Sequence, residues 1–125
     1  MRLEIEVIDQ KVSVCKLPDL SQVPFEDAFC FLGKTDGEQS LVCATEHVPE
    51  NALEEVSGWR MFRIKGTLDF SLIGILANIS AVLAERKIGL FVVSTYDTDY
   101  ILVKQEQLQD ALDALAAVGH QIYVL

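Results

Sequence analysis

The chain has few cysteines, no long apolar run and no basic leader, and each scarcity excludes a class of protein. Its three cysteines, Cys15, Cys30 and Cys43, form no Cys-x-x-Cys pair, so they fit reduced core thiols better than a disulfide framework or a zinc site. No apolar run approaches the roughly 20 residues that cross a bilayer. The first residues lack the basic segment of a signal peptide. We therefore expect a cytoplasmic protein without a metal site or a membrane partner.

Positive charge is also scarce. The 125 residues include 19 acidic and 10 basic side chains, which gives a formal net charge of -9. This charge repels phosphate backbones, so nucleic acid is an unfavourable partner. Hydrophobic residues make up 50% of the chain, enough to bury a core. The composition indicates one or two small globular domains.

Alternation of apolar and polar residues predicts strands in the first half. Residues 3–8 and 12–17 alternate on either side of the polar stretch 9–11, which predicts a β-hairpin. Two β-rich runs, 28–32 and 39–44, predict a second hairpin, because the Asp-Gly pair between them favours a tight turn. The first half is therefore expected to be rich in strands.

Helical signals in the first half are weak. Pro49 and the residues after it, 50–56, predict a short amphipathic helix with acids near its N-terminus, ended by Ser57-Gly58. The segment 19–23 lies between two prolines, so we expect it to be irregular or a single helical turn.

The second half predicts a regular order of elements. Apolar residues recur every three or four positions from Leu72 to Leu83, which predicts a helix capped by Asp69. Strands are predicted at 59–65, 88–94, 100–103 and 121–125, and a second helix at 106–118. The continuous apolar run 88–94 is typical of a central strand. The order β-α-β-β-α-β predicts the ferredoxin-like split βαβ arrangement, with both helices on one face of a four-stranded antiparallel sheet.

The predicted domain boundary lies between residues 1–57 and residues 58–125. A unit of roughly 65 residues buries only about 60% of its unfolded surface, so the second half gains by packing on a neighbour. The first half is the obvious neighbour. It could be a divergent copy of the same module, although its first crossover helix is missing or reduced, and the residues leave this duplication open. The predicted fold class is α+β, with tandem ferredoxin-like modules whose antiparallel sheets carry helices on one face.

Several residues of the second half carry a resemblance to a known family. The matching stretches are Asp69 ahead of Gly74, residues 75–79, 83–85 and 88–89, and the strand that ends in Val93-Ser94-Thr95. In these residues the chain resembles an ACT domain of the aspartate-kinase type, a regulatory module that binds small molecules in amino-acid metabolism. With residues 94–100 as the most specific stretch, the whole chain is similar to small prokaryotic proteins made of two ACT-like halves, relatives of the cytosolic arginine sensors of animal cells. The resemblance implies a divergent ACT-like half at 1–57 and an ACT domain at 58–125.

A ligand site is predicted where the helix-opening loop meets the turn after the second strand of this unit. The N–H groups of a first helical turn bind carboxylates, and Gly74 would let a ligand approach closely. The resemblance places further contacts at the turn, where Asp99 could pair with an ammonium or guanidinium group. The predicted ligand-binding residues are Asp69, Phe70, Ser71, Leu72, Ile73, Gly74, Thr95, Tyr96 and Asp99. The structural alternative is that Asp69 only caps the helix and that Asp97 and Asp99 only bond the backbone of an ordinary turn.

Signals for catalysis are poor. His47 and His120 lie in different halves without metal or triad spacing, and we expect both to be surface or strand-end histidines. No catalytic residue, metal or cofactor is predicted. We expect a non-catalytic regulatory protein that senses an amino acid at an interface between ACT modules, associated as a homodimer, with a partner enzyme that reads the bound state. The alternative is a protein–protein interaction module with an ACT fold that has lost ligand binding.

Overall fold

The computed structural model describes residues 2–65 and 74–124 of the chain. Its strands are β1 (Glu4–Lys16), β2 (Cys30–Lys34), β3 (Gln39–Ala44), β4 (Glu54–Ile64), β5 (Phe91–Ser94), β6 (Asp99–Lys104) and β7 (Gln121–Val124). Its helices are α1 (Ile75–Glu85) and α2 (Leu108–Ala117). Within this part of the chain, neither helix is long and apolar enough to cross a membrane. The predicted α+β class is confirmed.

The chain forms two compact units. The first, which we call the C-terminal unit, contains Met1–Asp9 together with Arg60–Leu125, and the second, the N-terminal unit, contains Gln10–Trp59. The strands β1 and β4 contribute residues to both units. The structural boundaries differ from the division at residues 57 and 58, because the first nine residues belong to the C-terminal unit. That the N-terminal unit is a divergent ACT-like domain stays a prediction.

The sheet of the C-terminal unit has the strand order β7-β1-β4-β6-β5. The strands β5 and β6 are antiparallel, with Phe91 opposite Leu102. The start of β1 lies between β7 and β4 and runs parallel to β7, with Glu4 opposite Gln121. The beginning of the chain therefore adds a fifth strand to the four that the order of elements predicts.

The core of the C-terminal unit joins the sheet to both helices. The helix α1 contributes Ile75, Ile79 and Leu83, the spacing that the sequence predicts for its buried face. The second helix contributes its own buried stripe, and the strands contribute alternate residues. These further core residues are Ile5, Val7, Phe62, Ile64, Ile88, Ile101, Val103, Ala111, Leu112 and Leu115. The start of β1 therefore contributes Ile5 and Val7 to this hydrophobic core.

The N-terminal unit is built mainly from strands. The strands β2 and β3 form an antiparallel hairpin with Lys34 opposite Gln39, so the hairpin predicted from Asp-Gly is confirmed. The strand β3 also pairs antiparallel with β1, with Val12 opposite Ala44. The structure describes every residue from 10 to 59 and shows no α-helix among them; residues 19–23 are irregular, as expected. A small core contains Cys15, Leu17, Leu41 and Cys43.

The predicted hairpin at residues 3–17 is wrong. The 13 residues of β1 form one continuous strand that passes through the polar stretch 9–11 without a turn. That stretch has no glycine and no Asn-Gly or Asp-Gly pair to reverse the chain. Both ends of the strand have long-range partners instead, β7 at residues 4–7 and β3 at residues 12–16.

The predicted helix at residues 50–56 is also wrong. Glu54 begins β4, which continues through Ser57 and Gly58 to Ile64. A helix of about seven residues is marginal by itself, because nucleation is costly and few hydrogen bonds follow it. The N–H of Leu53 instead donates to the carbonyl of Lys16 at 2.8 Å, and strand pairing replaces the local helical preference.

The apolar run 88–94 is not a central strand. Only Phe91–Ser94 form β5, which is the last strand in the described sheet and pairs with β6. Ile88 is a buried core residue, and Leu90 and Val92 pack against the same core. The run is apolar because the connection before β5 is also buried, so a short edge strand carries the pattern of a central one.

Candidate functional site

The structure describes four of the nine predicted site residues. Gly74, Thr95, Tyr96 and Asp99 lie in the C-terminal unit. The other five, Asp69, Phe70, Ser71, Leu72 and Ile73, lie outside the described residues, as does the predicted cap at Asp69.

Gly74 is the residue from which α1 begins. It is exposed and has a φ of 84°, in the left-handed region that glycine adopts without strain. Its carbonyl accepts the N–H of Asn78 at 2.8 Å, which closes the first helical turn. The N–H groups of Ile75, Leu76 and Ala77 have no acceptor within a regular helix, so they are the donors that a bound carboxylate would use.

A hydrogen-bonded turn connects β5 to β6. The N–H and the hydroxyl of Thr95 both donate to the carbonyl of Thr98, each at 2.9 Å. The N–H of Thr98 donates back to Oγ1 of Thr95 at 3.3 Å. The hydroxyl of Thr95 therefore shapes the turn, which is the structural role that the sequence left open beside ligand binding.

Asp99 and Tyr96 are the other candidate residues of this turn. Oδ1 of Asp99 accepts the hydroxyl of Ser94 at 2.6 Å across the first pair of the β5–β6 ladder. The carboxylate is half-buried, so solvent and a ligand can still reach it. The side chain of Tyr96 is 82% exposed. The turn thus presents a fixed carboxylate next to an exposed aromatic ring.

Thr98, which the sequence analysis did not select, anchors the β5–β6 turn to β4. Its side chain is buried, and its hydroxyl donates to the carbonyl of Ile64 at 2.9 Å. Ile64 is the last residue of β4, so this bond holds the β5–β6 turn against the end of that strand. A threonine in a polar turn offers no local signal for such a contact.

Replacing Thr98 with valine tests this anchor. Valine keeps the shape of threonine but cannot donate to the Ile64 carbonyl, so we expect the free energy of unfolding to fall by about 1 kcal/mol. Urea unfolding measures the change. Asp97→Ala is the control, because Asp97 is an exposed residue of the same turn. An unchanged stability in Thr98→Val would contradict the anchoring role.

His120 links three segments of the C-terminal unit. It directly precedes β7, as a strand-end histidine should, but it is only 4% exposed. Its Nδ1 accepts the N–H of Leu3 at 3.0 Å, and its Nε2 lies 2.8 Å from Oδ1 of Asn78, which assigns the proton to Nε2. Burial lowers the pKa of His120. Because Asn78 also bonds Gly74, the neutral ring supports the first turn of α1 at the candidate loop.

The hairpins β2–β3 and β5–β6 are built alike. Each residue of the β5–β6 hairpin corresponds to the residue of the β2–β3 hairpin that lies 60 positions earlier. A 3-10 turn follows both β3 and β6. The N–H of Thr35 donates to the Glu38 carbonyl as that of Thr95 donates to the Thr98 carbonyl, both at 2.9 Å. In return, the N–H of Glu38 donates to the hydroxyl of Thr35 at 3.1 Å, and the N–H of Thr98 donates to the hydroxyl of Thr95 at 3.3 Å. This correspondence favours the internal duplication that the sequence left open.

The residues from β4 to α2 match the model of a known protein family. A family model described as ACT domain matches residues 54–117. The chain belongs to the ACT domain family. The matched range includes all nine candidate residues and the Thr98 anchor.

The chain is also similar to individual proteins. The chain is 31% identical over 105 residues to the cytosolic arginine sensor for mTORC1 subunit 1 of Rattus norvegicus; the match covers 78% of this chain and 30% of the relative, so the chain spans less than a third of that protein. A crystal structure of the protein Atu0741 from Agrobacterium tumefaciens has a TM-score of 0.88 and 27% identity, over 100% of this chain and 95% of that one. The regulatory subunit of aspartate kinase from Thermus thermophilus shares the fold, with a TM-score of 0.63 and 10% identity over 90% and 95% of the two chains.

The cysteines of this ACT chain are core residues. Cys15 and Cys43 are buried, Cys30 is half-buried, and all three are free thiols. Burial raises the pKa of Cys43 to about 12 and also raises the pKa values of Cys15 and Cys30. The thiols are therefore protonated and unreactive near neutral pH.

His47 lies at the surface of the N-terminal unit. Its Nδ1 is 2.7 Å from Oδ2 of Asp27, and this hydrogen bond raises the pKa of His47. Both residues line an open cavity of about 700 Å³ that contains none of the nine candidate residues. No group of three His, Cys, Asp or Glu in the described part of the chain could hold a metal ion.

Proposed function

We propose that this ACT chain is a non-catalytic regulatory protein of the cytoplasm that binds an amino acid at its C-terminal unit. The site would combine the loop at residues 69–74 with the turn at residues 95–99. The observation that carries the proposal is the Thr98–Ile64 hydrogen bond, since it holds the turn beside the strand that leads into the loop.

The chemistry of the two segments suits the two ends of an amino acid. The free N–H groups at the start of α1 would receive the carboxylate, because a helix N-terminus combines donors with a positive dipole end. Asp99 would receive the ammonium group from the other side. Tyr96 would cover the ligand with its exposed ring, which could contact a cationic or an apolar side chain.

Regulation requires that the ligand bind two states of the protein differently. We propose a homodimer in which a second copy completes the site, so that the ligand stabilises one arrangement of the dimer. A partner enzyme would then read the change, because a difference in affinity between two states is the free energy available for signalling.

Thermal unfolding with each of the twenty amino acids tests this proposal. A ligand at 100 times its Kd should stabilise the protein by about 2.7 kcal/mol, which raises Tm by roughly 10 °C in a domain of this size. Asp99→Ala should abolish the shift, and Gly74→Val should do so as well, because valine is strained at a φ of 84°. Asp97→Ala is the matched control, since Asp97 is an exposed acid of the same turn.

The competing function is a protein–protein interaction module that has lost ligand binding. The observation in its favour is that the hydroxyl of Thr95 and one oxygen of Asp99 already bond within the hairpin. The same experiment separates the two functions. A shift with one amino acid that persists in Asp97→Ala and disappears in Asp99→Ala supports sensing, whereas no shift with any amino acid supports the interaction module.

A further inference from the structure

His120 is a buried titratable residue that is not among the residues of the proposed ligand site. It directly precedes β7, and its ring bonds Leu3, which directly precedes β1. The same two segments are joined a second time, because the N–H of Gln121 donates to the Leu3 carbonyl at 2.9 Å. The ring and this backbone bond together hold the start of β1 beside the start of β7.

The two ring nitrogens of His120 respond differently to an added proton. Nε2 already carries the proton of the neutral ring, so it donates to Oδ1 of Asn78 in both the neutral and the charged form. Nδ1 accepts the N–H of Leu3 at 3.0 Å, which requires a free lone pair. A proton on Nδ1 would point at the Leu3 N–H, and two donors form no hydrogen bond. Protonation therefore breaks the bond to Leu3 and keeps the bond to α1.

The surroundings of His120 favour the neutral ring. Burial is the larger cause of its lowered pKa, and the positive charge of the amino terminus lowers the pKa further. The phenol of Tyr123 in β7 donates to Glu4 and not to the ring. The acids and bases on the segments that meet at the ring are all exposed; they are Arg2, Glu4, Glu85, Asp110 and Asp113. Within the described residues, the imidazolium has no anionic partner in the closed structure.

We propose that His120 is a pH-sensitive switch that joins Leu3 to α1 near neutral pH and releases Leu3 in mildly acidic solution. Release begins below pH 6.5, the ordinary pKa of histidine, because the opened ring takes up a proton that the closed structure disfavours. The charged ring stays with Asn78, while Leu3 separates from the start of β7. The release is confined to the beginning of the chain, since Ile5 and Val7 remain in the core.

This switch does not depend on the proposed ligand site. It requires only the contacts among Leu3, Asn78 and His120, and it operates without a ligand. Failure of amino-acid binding would leave it intact, and its own failure would leave the ligand site intact.

Hydrogen exchange of the ¹⁵N-labelled full chain between about pH 8 and about pH 5 tests the switch. The protection factor of the Leu3 amide, which is the ratio of its intrinsic to its observed exchange rate, should fall about tenfold per pH unit below pH 6.5, because each opening takes up one proton. The Lys65 amide is the internal control, since it donates to the Glu4 carbonyl at 2.8 Å and should lose much less protection. Equal losses at both amides would indicate unfolding of the whole unit and overturn the proposal, as would a Leu3 amide that is unprotected at pH 8.

Two variants separate the proton from the packing of the ring. His120→Asn keeps an acceptor near the position of Nδ1 but cannot be protonated, so the protection of Leu3 should no longer depend on pH. Asn78→Asp places a carboxylate beside Nε2, which favours the imidazolium and should move the loss of protection to higher pH. His47→Gln is the matched control, because it removes the surface histidine and should leave the profile unchanged.

The outcomes of these variants decide the proposal. A Leu3 amide that still responds to pH in His120→Asn, or a profile that does not move in Asn78→Asp, would overturn it. If His120→Asn fails to fold, Asn78→Asp decides alone, since that variant retains the histidine and both of its ring contacts.

Discussion

Leu83→Ala is expected to lower the free energy of unfolding by about 2–5 kcal/mol, the largest effect of any substitution considered for this chain. Leu83 is fully buried and joins α1 to the core of the C-terminal unit. Truncation removes apolar contacts and leaves a cavity that the sheet cannot fill. Because a domain of this size has only about 5–15 kcal/mol of stability in total, this loss is a large fraction of it. Urea unfolding monitored by circular dichroism measures the loss.

Glu85→Ala provides the control for this prediction. Glu85 is the last residue of the same helix and is exposed, so its replacement should change stability by less than about 0.5 kcal/mol. A loss below about 1 kcal/mol in Leu83→Ala would contradict the burial of α1 against the sheet.

His120→Ala is expected to have the second largest effect. It removes the acceptor of the Leu3 N–H and the donor to Asn78, and each polar group left buried without a partner costs about 1–3 kcal/mol. The loss should also loosen the first turn of α1, since Asn78 bonds Gly74. Hydrogen exchange at the Asn78 amide reports on that turn separately from global stability.

The pH dependence of stability provides a second test of His120. Its pKa is lowered by burial from the ordinary value of 6.5, so the unfolded chain binds the proton more readily than the folded one. The contribution of His120 is therefore fully present above pH 6.5 and is lost as the pH falls through the lower folded pKa. The acid-side decline in stability should be shallower in His120→Ala than in the natural chain.

The contribution of His47 to stability should depend on pH in the opposite direction. Its pKa is raised by the hydrogen bond to Asp27, so its contribution is present below pH 6.5 and is lost as the pH rises through the folded pKa. The effect is expected to be small, because the side chain is half-exposed and solvent screens the pair. A His47→Gln variant should leave the acid-side decline unchanged, and a flattened acid side in this variant would contradict the assignment to His120.

Some features of the proposed site depend on neighbouring residues, and others depend on contacts between residues far apart in the sequence. The family resemblance selects the loop and the turn, and the sequence alone explains why Gly74 is needed where the backbone has a positive φ. The bond between Thr98 and Ile64 joins residues 34 positions apart, and no pattern around Thr98 indicates it. The hydrogen bond from the N–H of Leu3 to the ring of His120 also joins distant residues, 117 positions apart.

The sequence by itself determined the elements that depend on neighbouring residues. The period of Ile75, Ile79 and Leu83 predicts α1, and the Asp-Gly pair predicts the β2–β3 hairpin, because helical burial and tight turns are decided within a few positions. The ferredoxin-like order of the second half follows from the same local patterns and the rule of right-handed crossovers.

Only the tertiary structure decided where strands find their partners. Residues 3–17 have the pattern of a hairpin, yet β1 is continuous, because its two ends pair with β7 and β3. Residues 50–56 have the pattern of a short helix, yet strand pairing prevails over a weak local preference. A strand forms its regular backbone hydrogen bonds with another strand, and the residues nearby in the sequence do not determine which strand that is.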